Sequence, residues 1–150
     1  MSTTQPIRSK QLLHDFKEYY LTKQPNSRNY TLILIGLNTA LRINDILHLT
    51  WGDVYCTEHS RFYTHLLITE KKTEKETRIL INRELQETLL SYRKTQTSIA
   101  DTDYLFPSPR KADSPLSRYQ AYRIVRKAAE AVGIEDVIRC HSCLLYTSDA

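Results

Sequence analysis

Apolar residues recur at helical spacing in the first part of the chain. Leu12, Leu13, Phe16, Tyr19 and Tyr20 share one face of a helix that Ser9 can cap, and Pro25 then ends it. A second helix is expected to start near Asn26 or Ser27. Tyr30, Leu32, Ile33, Leu34, Ile35 and Leu37 make it apolar nearly all round, the mark of a buried core helix. Residues 43–49 predict a short third helix, with Asn44 and Asp45 in a first turn where they suit the positive helix end. The period then changes. Residues 51–55, 61–70 and 77–81 carry the β-branched and aromatic side chains of strands, and the polar run KKTEKE reads as a hairpin loop between the last two. Helical spacing returns after Asn82, with Leu85, Leu89 and Tyr92 on one face. It returns again after Ser117, where Ala121, Ile124, Val125, Ala128 and Val132 face inward and Gly133 ends the helix. Residues 101–115 read as a loop with a short extended piece around Leu105. The pattern as a whole predicts a mainly α fold with a small antiparallel three-stranded β-sheet.

Composition narrows the classes of function. A chain of 150 residues, 41% apolar and 25% charged, fits one domain around one core and excludes collagen-like, low-complexity and wholly disordered proteins. The three glycines, Gly36, Gly52 and Gly133, are too scattered for a G-x-G-x-x-G or Walker loop. No apolar run approaches the ~20 residues that cross a bilayer, and the opening MSTTQPIRSK lacks the apolar core of a signal peptide. A cytoplasmic protein away from membranes is expected. Three cysteines, Cys56, Cys140 and Cys143, are an odd number that argues against a disulfide framework. Cys140 and Cys143 flank His141, and Cys56 lies near His59, but C-x-x-C supplies only half of a tetrahedral zinc site. No metal is expected. The net charge of +4 permits a polyanionic partner without requiring one.

The segment NTALRINDILHLTWGDV sets Arg42 between the buried helix and the short amphipathic one. Such an arginine can pair with Asp45 or cap a helix end; equally, a guanidinium at a rigid junction can grip two phosphate oxygens. In the last helix Arg123, Arg126 and Lys127 crowd the side opposite the apolar stripe, and with Arg118 they are candidate contacts to nucleic-acid phosphates. Lys71, Lys72 and Lys75 stand among Glu70, Glu74 and Glu76, an arrangement that ordinarily marks a solvated turn.

The A-L-R-I-N-D-I-L-x-L-x-W-x-D pattern around Arg42 resembles the first arginine box of the tyrosine recombinase, or phage integrase, family. Two more elements follow in the family's order: the K-K-T hairpin at residues 71–73 with the strand TRILI, then DYLFPS, a helix and R-C-H-S at residues 139–142. The resemblance spans residues 9–142 and implies a partial catalytic domain, preceded by a disordered segment, 1–8. In this family a tyrosine hydroxyl attacks a DNA phosphodiester to leave a 3′-phosphotyrosyl link, which a 5′-hydroxyl later reverses. No cofactor takes part. By the resemblance, Arg42 clamps the phosphate, Lys72 protonates the leaving 5′-oxygen, and His141 assists proton transfer or phosphate contact. It also implies double-stranded DNA as partner and a parent protein that works as a tetramer on two duplexes by exchanging a C-terminal segment.

The resemblance breaks after Ser142. The family continues H-x-x-R, whereas this sequence reads HSCL, with Leu144 in place of the second arginine. Residues 143–150, CLLYTSDA, are unlike the family's next helix, and Tyr146 stands too close to His141 to be its nucleophile. A truncated or misjoined end, as from a wrong reading frame, is therefore expected, in a chain that binds DNA without cleaving it and is itself a monomer. The competing reading is a non-catalytic nucleic-acid-binding helical module, its basic helix touching phosphates without breaking them.

Overall fold

The computed structural model describes residues 10–69 and 73–133. Lys72, His141, Leu144, Tyr146, the cysteine pair 140 and 143, and the Ser9 cap lie outside the described residues.

Helix α1, Lys10–Glu18, passes into a π turn over Tyr19–Lys23. The wider turn brings consecutive tyrosines inward: Phe16, Tyr19 and Tyr20 are all buried, while Leu12 and Leu13 remain partly open. Helix α2, Ser27–Thr39, starts where Asn26 accepts the Asn29 N–H at 3.0 Å. Its Leu32, Ile33, Leu34 and Ile35 are buried in succession, as an all-round apolar pattern requires. It ends at Ala40, which adopts the left-handed conformation with φ 55°. Helix α3, Ile43–Leu47, follows after the two-residue connector Leu41–Arg42 and buries Ile43, Ile46 and Leu47.

Residues 51–54 depart from the strand expected of them. Trp51–Val54 forms a helical turn, α4, because Asp53 reaches back to accept the Thr50 N–H at 2.9 Å. That reciprocal cap outweighs the β preference of the aromatic and branched residues. Only Tyr55–Cys56 is left for β1, which pairs antiparallel with β2, Arg61–Phe62. The chain then bends at Tyr63 and Thr64 and begins a second hairpin, β3, His65–Thr69, with β4, Glu76–Leu80. Among the described residues the expected three-stranded sheet is thus two separate two-stranded sheets. The bend and the helical turn divide what composition alone joins.

Helix α5, Arg83–Lys94, is capped by Asn82, whose side chain accepts the Leu85 N–H at 2.9 Å and donates to Asn38 Oδ1 at 2.8 Å. The loop that follows places Tyr104 opposite Thr50 in a single antiparallel bridge, so the short extended piece near Leu105 is present. Helix α6, Arg118–Ala131, begins on a Ser117 cap, and Gly133 lies just beyond it with φ 77°, where a residue without Cβ is unstrained. Its Ala121, Ile124, Val125, Ala128 and Ala129 pack into one core with the inner faces of α2 and α3.

Candidate nucleic-acid interface

Arg42 owes its position to alternation along an extended connector. Leu41 and Ile43 on either side are buried, so the Arg42 side chain points outward and is exposed. Its backbone occupies the cap position of α3, where the Arg42 carbonyl accepts the Ile46 N–H at 3.0 Å, but its side chain makes no capping bond. Ion pairs among the described residues join Lys17 to Glu84 and Arg83 to Glu87, and neither includes Arg42. Pairing with Asp45 and side-chain capping, the two structural roles open to this arginine, are therefore not what holds it. A cation on a junction anchored by buried residues is left facing solvent.

The second basic surface lies on α6. Arg118, Arg123, Arg126 and Lys127 are all exposed, on the side away from the buried alanines and Ile124. Arg123 stands 5.8 Å from the centre of the Tyr119 ring, which is itself 69% exposed. Between α6 and the start of α2 runs a cleft of about 520 Å³, lined by Arg28, Arg123, Arg126 and Lys127 with Glu130 as its acidic member. Tyr20 forms part of its wall, donating its hydroxyl to the Ile124 carbonyl at 2.7 Å. Burial pushes that phenol up to about 12, with Tyr19 adding to the effect and Arg28 opposing it, so no phenolate charge offsets the cations at neutral pH. A neighbouring notch of about 350 Å³ carries the basic surface on past Tyr119 and Arg123 to Arg110.

No sequence pattern points to Arg28 as a candidate. It belongs to a different helix from the α6 cluster and stands 90 or more positions before it, so no local pattern links them. Arg93, which helical spacing alone would leave exposed, is half-buried with its guanidinium 3.9 Å from the Tyr55 ring centre and 5.2 Å from that of Trp51. Among the described residues no three His, Cys, Asp or Glu side chains stand together as metal ligands would. Within the same residues no helix is long and apolar enough to cross a membrane.

This order of helices and hairpins recurs in solved recombinase structures. Superposed on the crystal structure of the XerA recombinase, the chain gives a TM-score of 0.71 at 18% identity, covering 99% of this chain and 59% of that one. On lambda integrase residues 75–356 bound to DNA it gives 0.61 at 13% identity, covering 98% and 53%. The chain thus spans somewhat more than half the length of these solved structures. The Bacillus subtilis (strain 168) "Probable integrase/recombinase YoeC" is 42% identical over 137 residues, 91% of this chain and 69% of that protein. A description of the phage integrase family matches residues 5–143, and the chain belongs to that family.

Proposed function

We propose that residues 9–142 are part of the catalytic domain of a DNA strand-transferring recombinase, acting in the cytoplasm on double-stranded DNA. The observation that carries this reading is the exposed Arg42 on a buried junction, in a chain that belongs to the phage integrase family. In this reading Arg42 holds the scissile phosphate, where fixed positive charge stabilises the charge that builds on the non-bridging oxygens. Lys72 donates the proton to the departing 5′-oxygen, and His141 assists. Arg118, Arg123, Arg126 and Lys127 grip the backbone along α6 and contribute affinity rather than sequence preference.

Lambda integrase is bound to a core site as a dimer and to a Holliday junction as a tetramer. By analogy the parent of this chain assembles on DNA. In this reading HSCLLYTSDA departs from the family's H-x-x-R continuation, neither the second arginine nor the nucleophile is assigned among these residues, and the role read for the chain is binding DNA rather than cutting it.

Incubation with a nicked duplex, followed by denaturing electrophoresis, tests the assignment. The expected result is retardation of intact duplex in native gels and no denaturation-resistant adduct. An adduct abolished by Tyr146→Phe would show that the tail supplies the nucleophile. Absence of any duplex binding at low salt would remove the recombinase reading for this chain.

A further inference from the structure

We infer that Arg28 is a second DNA contact, holding a backbone phosphate other than the one assigned to Arg42. The inference rests on the DNA-binding reading above and adds to it a residue and a location.

Arg28 is half-buried at the start of α2, and its Nε donates to Asn29 Oδ1 at 2.9 Å. Asn29 is itself buried, so this bond fixes the direction of the guanidinium. Glu130 lines the same cleft, yet no ion pair among the described residues joins it to Arg28. Four cations around a single carboxylate leave the cleft with a surplus of positive charge, and an anion seated among them relieves their mutual repulsion.

The shape selects the anion. The cleft of about 520 Å³ continues into the notch of about 350 Å³ that ends at Arg110, so the positive charge forms a path rather than a single pocket. A path of cations matches a chain of regularly spaced phosphates better than one small ion, and exposed Tyr119 beside Arg123 offers a ring to the adjoining sugar or base. Arg28 and Arg42 lie at opposite ends of α2, whose 13 residues span roughly 20 Å. They therefore hold different phosphates. Arg28 contributes to holding the duplex and takes no part in the bond being broken.

The test is fluorescence anisotropy of a random-sequence duplex titrated with the full chain at several salt concentrations. Arg28→Ala is expected to bind roughly tenfold more weakly, the worth of one charge-assisted hydrogen bond, and to lower the slope of log affinity against log salt by about 0.9. Arg28→Lys keeps the charge and should keep the wild-type slope. Arg83→Ala, whose side chain is 92% exposed on α5, should match the wild type. If Arg28→Ala fails to fold by circular dichroism, Arg28→Gln replaces it, because the amide retains a donor for Asn29 without the charge. Wild-type affinity and slope in the neutral variant would overturn the inference while leaving DNA binding intact. Failure of the wild-type chain to bind at low salt would instead overturn the underlying reading.

Discussion

Tyr20 and Ile124, 104 positions apart, are joined by a 2.7 Å hydrogen bond from the phenol to the helix carbonyl. The bond ties the π turn to the middle of α6 and so sets the two walls of the basic cleft against each other. Tyr20→Phe keeps the ring and removes the donor. It should cost about 1 kcal/mol, because the α6 carbonyl retains its intrahelical N–H partner and loses only its second bond. Urea denaturation checks the figure. A loss within error of zero would mean that packing alone positions α6.

The same burial predicts alkaline sensitivity. The phenols of Tyr20 and Tyr92 are each pushed up to about 12 by burial, against 10.0 for an exposed tyrosine. Above pH 10 the unfolded chain releases these protons while the folded chain retains them. Their contribution is therefore complete below pH 10 and lost as pH rises towards 12. The melting temperature should fall across that window, and spectroscopic titration of the folded chain should show these phenols ionising late. Tyr20→Phe should make the fall shallower; an unchanged slope would remove Tyr20 as a source.

Ala40 sits at φ 55° and ψ 24°, where a side chain crowds the backbone. It is exposed, so replacing it sacrifices no packing. Ala40→Gly relieves the strain but adds freedom to the unfolded chain, leaving a net stabilisation of about 0.5–1 kcal/mol. A lower melting temperature in Ala40→Gly would show that the left-handed turn before Arg42 is not strained.

Local signals in the sequence were legible where both partners of an interaction lie within a turn or two. The Asn82 and Ser117 caps and the buried stripe Ala121, Ile124, Val125, Ala128 needed no long-range information. Trp51–Val54 could have been found the same way, since Thr50 and Asp53 carry the capping-box spacing, but aromatic and branched composition points to a strand. The π turn is different in kind, because its cause is the demand of a distant core for both Tyr19 and Tyr20. Arg28 was hidden for a similar reason: its cationic neighbours belong to α6 and come near only after folding. Arg42 stood out as a charge between two apolar segments, yet only the structure shows it exposed and without Asp45 as an ion-pair partner among the described residues.

Arg42 and Arg93 should separate binding from stability. Arg42 is exposed and makes no side-chain cap, so Arg42→Ala is expected to change stability by less than about 0.5 kcal/mol. Its loss should still weaken duplex binding roughly tenfold, the value of one charge-assisted contact. Arg93 behaves in the opposite way. Its guanidinium covers Tyr55 and Trp51, and its Nη1 is buried without an acceptor. Arg93→Ala uncovers both rings and should cost about 1–2 kcal/mol, with DNA affinity preserved at temperatures where the variant remains folded. Arg93→Met refines the comparison: it keeps an apolar stem on the rings and removes the unpaired nitrogen, so it should be closer to the wild type than Arg93→Ala. Melting curves and anisotropy titrations on the same four proteins decide the matter. Equal loss of affinity in Arg42→Ala and Arg93→Ala, both folded, would strip Arg42 of any special role at the phosphate and return it to the general positive charge of the chain.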